Sequence, residues 1–254
     1  MNKLMTFALA FVLAGAASAQ EYKISKSTGR LELNEINNVT IEGYSGNEIV
    51  FSSLDRDHER DSRAAGLRAV SANGMEDNTG IGLYVKESGT TYEVYQLKKM
   101  DGPRVKIMVP KGVAISYHHN SPHGSDVKLK NVEGEIEIST VHNGIDLDNV
   151  SGPMNVRTAH GKIEVILSDN VKGPILLQST HGLVDVSIPA SLKADISLSA
   201  GRGEAFLDPG LKIEVPKSGE WVKYGSSQVD GKLNGGGIEI SLSTSHGNLY
   251  LRKK

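Results

Sequence analysis

The sequence predicts an all-β protein: a single-domain β-solenoid, parallel β-helix-like, with short two-strand coils of about 18–22 residues. Three observations carry that expectation. Apolar and polar residues alternate past Glu21, as in Leu31-Glu32-Leu33, Val105-Lys106-Ile107, Ile136-Glu137-Ile138 and Ile163-Glu164-Val165. That is the period of strands with one buried face. Gly, Asn, Asp and Ser punctuate these runs closely, as turns require. Finally, one short fragment recurs along the second half of the chain.

Met1–Ala19 reads as a secretory signal peptide. Lys3 supplies the positive start, Met5 to Ala17 the apolar run, and Ala17-Ser18-Ala19 the small-x-small cleavage pattern. The run is short for a membrane span, and no later stretch is long and apolar enough to be one. The expected location is therefore outside the cytoplasm: periplasmic, extracellular or at the cell surface. The 254 residues contain no Cys, which excludes disulfides, a thiol nucleophile, Cys-based zinc sites and a lipid-anchored cysteine. Export without Cys points to a bacterial type of envelope. A net charge of −2 provides no basic field for gripping nucleic acid.

Residues 20–110 form an irregular, capping part of the stack. Strands are expected at Gly29–Leu33, Val39–Glu42, Ile49–Ser53, Gly82–Lys86, Thr91–Leu97 and Val105–Val109. Between them, residues 55–80 form a long polar loop, with helical character only over Asp57–Val70. Loops of this length are often mobile or functional, but a plain insertion between two strands is the favoured reading over a binding loop.

Residues 111–254 carry the repeat. Ser139–Leu147 recurs as Arg157–Val165 and Gln178–Val186, loosely as Ser199–Phe206, and again as Ser243–Leu251, with an earlier copy at His123–Leu129. The turn landmarks fall at 123, 142, 160, 181, 202 and 246. The last interval is double, which places a further coil near Tyr224-Gly225. A second turn, Asn-Val-x-Gly, begins at Asn131, Asn149 and Asn170. Each repeat thus holds two strands and two turns. So short a unit buries its apolar face only by stacking on its neighbours. Stacking puts Ile145, Ile163 and Val184 in one file and Leu147, Val165 and Val186 in the next, about 4.8 Å apart. Glycines at the corners are expected to supply positive φ. Arg252-Lys253-Lys254 would guard the final sheet edge.

Val39–Ile49, with Gly43-Tyr44-Ser45-Gly46-Asn47-Glu48, resembles a strand, Gly-aromatic-x-Gly-x-Glu, strand opening. Val105–Val113 resembles a strand, Pro-x-Gly hinge. With the x-Gly-x-Ile-x-Val rungs that follow, these look like the bacterial "putative adhesin" β-strand-repeat family, the DUF4097 type of the toast-rack β-solenoids. The resemblance covers essentially the whole chain past the leader. It implies an exported β-solenoid with an adhesion role and no catalytic residues. Residues 55–80 are longer than that pattern needs.

Three clusters are candidate sites. His142, His160 and His181, with His246, share one turn position. Imidazoles at strand spacing suit zinc or copper, or joint titration. A simple corner ladder accounts for the same residues, and Arg202 in the file favours it. Asp146, Glu164 and Asp185 form an outward acidic file, which Ca²⁺ or nearby lysines would neutralise. No Asp/Gly-rich calcium loop accompanies it. His118-His119 with His123 read as a polar connection before the repeats.

Catalytic signatures are missing. Gly43-Tyr44-Ser45-Gly46 is not a nucleophile elbow, and Gly235-Gly236-Gly237 precedes a strand, so it reads as a turn rather than a phosphate loop. Trp221, Tyr224 and Tyr250 could form a small sugar platform, but a Trp such as Trp221 is more often partial core or cap. The function expected is therefore non-catalytic: an adhesin-like or structural solenoid binding a surface, glycan or protein partner, with no cofactor, catalytic residue or nucleic-acid partner. The alternatives are a carbohydrate-active enzyme on a solenoid face and a metal- or pH-responsive envelope protein.

Overall fold

A computed structural model describes residues 21–55, 63, 66–67, 69–214 and 228–254. The expected leader over residues 1–19, most of the helical stretch expected over 57–70, and Trp221 and Tyr224 lie outside the described residues. Every named element among the described residues is a strand. The first part of the chain gives β1 (Glu21–Ile24), β2 (Thr28–Asn34), β3 (Asn38–Tyr44), β4 (Ile49–Ser53), β5 (Leu83–Ser88), β6 (Thr91–Gln96) and β7 (Arg104–Pro110). The regular repeats give β8 (Gly112–His119), β9 (Val127–Lys130), β10 (Ile136–Thr140), β11 (Ile145–Val150), β12 (Met154–Thr158), β13 (Ile163–Leu167), β14 (Ile175–Ser179) and β15 (Val184–Ile188). The last part gives β16 (Ala194–Ala200), β17 (Ala205–Leu207), β18 (Ile213–Glu214), β19 (Gln228–Leu233), β20 (Ile238–Thr244) and β21 (Leu249–Lys253).

These strands make two long sheets, mostly parallel. Sheet A runs β1-β4-β7-β3-β9-β11-β13-β15-β21-β17, and sheet B runs β18-β19-β16-β20-β14-β12-β10-β8-β2-β6-β5. Each coil lends one strand to each sheet, which is a β-solenoid. Like residues stack as the alternation predicts. Ile145 pairs with Ile163 and Ile163 with Val184; Leu147 pairs with Val165 and Val165 with Val186. Ile138, Val156 and Leu177 oppose them from sheet B. All of these side chains are buried. Each contributes about 1.5–3 kcal/mol by leaving water, so the apolar files between the sheets hold the stack together.

The order of stacking departs from the order of the chain at both ends. The coil β2/β3 lies between β6/β7 and β8/β9. The final coil, β20/β21, is inserted between β14/β15 and β16/β17. The turn at His246 therefore sits directly on the turn at His181, and Arg202 lies beyond it. In the long interval from 202 to 246, β18 and β19 pair antiparallel beyond β16, and the further coil expected near Tyr224-Gly225 falls outside the described residues. This placement also corrects the role expected for Arg252-Lys253-Lys254. β21 is an interior strand, and Arg252 pairs with Asp185 while Lys254 pairs with Asp169.

The corner glycines match expectation only in part: Gly124 and Gly173 have positive φ, at 109° and 80°. Gly161, Gly182 and Gly247 do not have positive φ. They are needed because the next coil comes too close: a Cβ on Gly182 would lie 1.9 Å from the Gly161 carbonyl oxygen. At the opposite corner, Asn131 and Asn149 take the left-handed conformation themselves, at φ 54° each. The Asn149 side-chain amide donates to Asn131 Oδ1 at 2.7 Å.

The antiparallel strands finish the stack. β5 closes one end of sheet B, and the loop before it covers its edge: Asn78 Nδ2 donates to Val85 O at 2.7 Å while Val85 N–H donates to Asn78 Oδ1 at 2.8 Å. One side-chain amide thus copies the hydrogen bonds of a neighbouring strand, a direct answer to the edge problem.

Candidate functional site

The corner leading from sheet B to sheet A is built on a hydroxyl two residues before each histidine. Thr140, Thr158, Ser179 and Thr244 are buried there. Ser179 Oγ donates to Gly161 O at 3.0 Å and accepts from Gly182 N–H at 2.8 Å. Thr244 Oγ1 donates to Gly182 O at 2.9 Å and accepts from Gly247 N–H at 3.1 Å. Thr158 bridges Asn143 O and Gly161 N–H in the same way. Beside this relay, the His160, His181 and His246 N–H groups donate to Val141, Ala159 and Thr180 carbonyls. Thr158, Ser179 and Thr244 each tie their own turn to the adjacent one, while Thr140 donates within its own turn, to Asn143 O. This role was readable as Thr/Ser-x-His-Gly, but attention to the histidines concealed it.

His142, His160, His181 and His246 project from this corner and are exposed. Successive ring centroids lie 5.6, 4.8 and 4.7 Å apart, with interplanar angles of 13°, 5° and 25°. The structure thus brings the three predicted histidines together and adds the fourth without a gap. Rings stacked by their faces point their nitrogens sideways and nearly parallel. A tetrahedral ion needs nitrogens that converge. Among the described residues, no group of three or more His, Asp or Glu side chains is placed to hold a metal ion.

Asp146 pairs in register with Glu164, and Glu164 with Asp185, on the outer face of sheet A. Basic side chains interleave with them. Lys162 Nζ lies 2.6 Å from Glu164, and that hydrogen bond raises the Lys162 ammonium above its ordinary value. Arg252 grips Asp185 through two nitrogens, at 2.8–3.0 Å. Lys128 stands in register beside Asp146. Glu164 and Asp185 are therefore paired with basic groups of the chain itself. Beyond it, Tyr250 stacks on Phe206 at 5.2 Å and lies under the Arg252 guanidinium, also at 5.2 Å.

His118 and His119 are not in a loop. They end β8, in register with Ser139 and Thr140, because the alternation Val113, Ile115, Tyr117 continues inward to His119. His119 is fully buried. Its Nε2 lies 3.1 Å from Asn37 Oδ1, while Asn37 Nδ2 donates to the carbonyls of Lys99 and Met100. Burial pushes the His119 imidazole below its ordinary range, against the pull of Glu35 and Asn143, while His142 and His123 add to the lowering. Asn37 had no signal in the sequence, since its partners are far away along the chain.

A further surface was not anticipated. Outward on sheet B, Arg157, Gln178, Ser243 and Ser199 stand in one register file, beside Asn155, Leu176, Ser241 and Ser197 in the next. Two adjoining recesses of about 290 and 370 Å³ run along these files and share Gln178 and Ser243. The second reaches Arg202 and His246. A larger recess, about 790 Å³, lies at the other end of the stack near Asn37, Gln96 and His123.

The sheets and their files define a two-sheet β-solenoid. No protein-family model matches the chain, so the DUF4097-type resemblance is not shown, and no curated protein matches it. Two solved structures are similar in path. A putative cell adhesion protein from Clostridium sporogenes is 14% identical, with a TM-score of 0.47, covering 93% of this chain and 100% of its own. A putative adhesin from Bacteroides fragilis is 10% identical, with a TM-score of 0.36, covering 94% of this chain and 98% of its own. Neither likeness bears on a ligand. Among the described residues, no helix is long and apolar enough to cross a membrane.

Proposed function

We propose that this chain is an exported, non-catalytic β-solenoid that serves as an adhesin-like or structural module, holding a surface ligand, glycan or protein, on its outer faces. The observation that supports this reading is the pairing of a stiff frame with aligned outward side chains. The hydroxyl relay and the backbone ladder fix the corners, so the files beside them present chemistry at regular spacing without prior ordering. Preorganisation of that kind favours binding. The leader expected over Met1–Ala19 agrees with a role outside the cytoplasm.

The test is binding of the purified chain from Gln20 onward to arrays of glycans and extracellular-matrix proteins. Saturable binding to a restricted set is expected. Binding to nothing, or conversion of a bound glycan to shorter products, would overturn the proposal.

A further inference from the structure

Among the described residues, Arg30 pairs with Glu137, Arg104 with Asp55 and Arg252 with Asp185. Arg157 and Arg202 are both exposed, and no carboxylate pairs with either. Both border the recesses on sheet B, whose linings contain no Asp or Glu. The acids on that face stand outside the recesses: Glu137 is held by Arg30, Asp230 accepts from Ser197 and Gln228, and Asp195 and Glu239 face each other in register farther along β16 and β20. Two unneutralised guanidinium groups thus flank a groove of hydroxyl and amide side chains, with Leu176 as an apolar spot 41% exposed.

The groove runs along the solenoid axis. From the coil of Arg157 to that of Arg202 there are three interstrand steps, β12 to β14, β14 to β20 and β20 to β16, or about 14 Å. Each step approximates the rise of one sugar in an extended pyranose chain. Ser199, Ser243 and Gln178 offer donors and acceptors to ring hydroxyls at each level, and the arginines offer paired donors to carboxylates. An added peptide strand is disfavoured here, because β12, β14, β20 and β16 are already paired on both sides. Single-stranded nucleic acid is disfavoured too, since the recesses contain no aromatic ring except that of His246.

We propose that this groove binds a linear acidic polysaccharide along the axis, its uronate carboxylates taken by Arg157 and Arg202. The assignment rests on the surface-binding role proposed above, and gives that role a ligand class and a place.

The experiment is a binding titration of the purified chain against polygalacturonate and alginate, with neutral dextran, inorganic polyphosphate and DNA as comparators. The variants are Arg157→Gln, Arg202→Gln and, as a control of equal charge change away from the groove, Arg252→Gln. The expected result is uronate binding that each groove variant weakens about tenfold, as for loss of a charge-assisted hydrogen bond, and that Arg252→Gln leaves within about twofold. Both groove arginines are exposed, so their variants should melt with the parent, and Gln178→Ala supplies an uncharged check on the same groove. Equal weakening by Arg252→Gln, or equal binding of polyphosphate or DNA, would overturn the proposal as mere charge attraction. Binding to a matrix protein or neutral glycan without uronate binding would overturn it while leaving the surface-binding role intact. Binding to nothing on the arrays would overturn both.

Discussion

Replacing Gly182 with alanine tests the stacking directly. The new Cβ would stand 1.9 Å from Gly161 O, 2.6 Å from Gly161 C and 2.9 Å from Ser179 Oγ. Two of those three atoms are backbone in the adjacent coil, so no side chain can swing aside. Forcing extra volume into a packed site costs about 1–3 kcal/mol. The spreading also strains the Ser179 hydroxyl bonds to Gly161 O and Gly182 N–H, each worth about 1 kcal/mol. The expected loss is about 2–5 kcal/mol. Gly89→Ala is the comparison: that glycine has φ +63° but nothing within 4 Å, so only the left-handed conformation is penalised, by about 1–2 kcal/mol. Urea unfolding followed by circular dichroism should show a much lower midpoint for Gly182→Ala at unchanged m. A Gly182→Ala variant no less stable than Gly89→Ala would refute the close-approach account of the corner.

Further outcomes follow from the same geometry. Leu147→Ala, in a fully buried file, should lose about 2–5 kcal/mol in the same unfolding assay. Asp185→Asn breaks a pair whose Arg252 side chain is 54% exposed, so its cost should stay below about 1 kcal/mol and shrink further in high salt. His119 has its folded value lowered by burial. The unfolded chain therefore binds the proton first as pH falls through about 6.5, stability drops from there, and the loss levels off below the folded value. His119→Gln should remove that part of the pH dependence in urea titrations at stepped pH. Titration calorimetry with Zn²⁺ and Cu²⁺ should give no saturable heat that depends on His160, because the stacked rings do not converge.

The period-two alternation made the strands legible, and the repeat made the inward files legible, down to Ile145, Ile163 and Val184. The histidine ladder was legible for the same reason. Stacking order was not, because coils of similar length and pattern fit against one another interchangeably, and only the long return after Arg202 separates the alternatives. His119 was misplaced because a charged-looking pair, His118-His119, outweighed an alternation that continues through it. The groove arginines were invisible for a different reason. What distinguishes Arg157 and Arg202 from Arg252 is the lack of a carboxylate neighbour, a property of three-dimensional placement.

The insertion of β20/β21 inside the stack makes this late coil a keystone. Trimming it would leave a gap in the middle of both sheets, since β14 and β16, like β15 and β17, meet only through the final coil. Both sheets therefore stay interrupted during folding until Ile238–Thr244 and Leu249–Lys253 are in place.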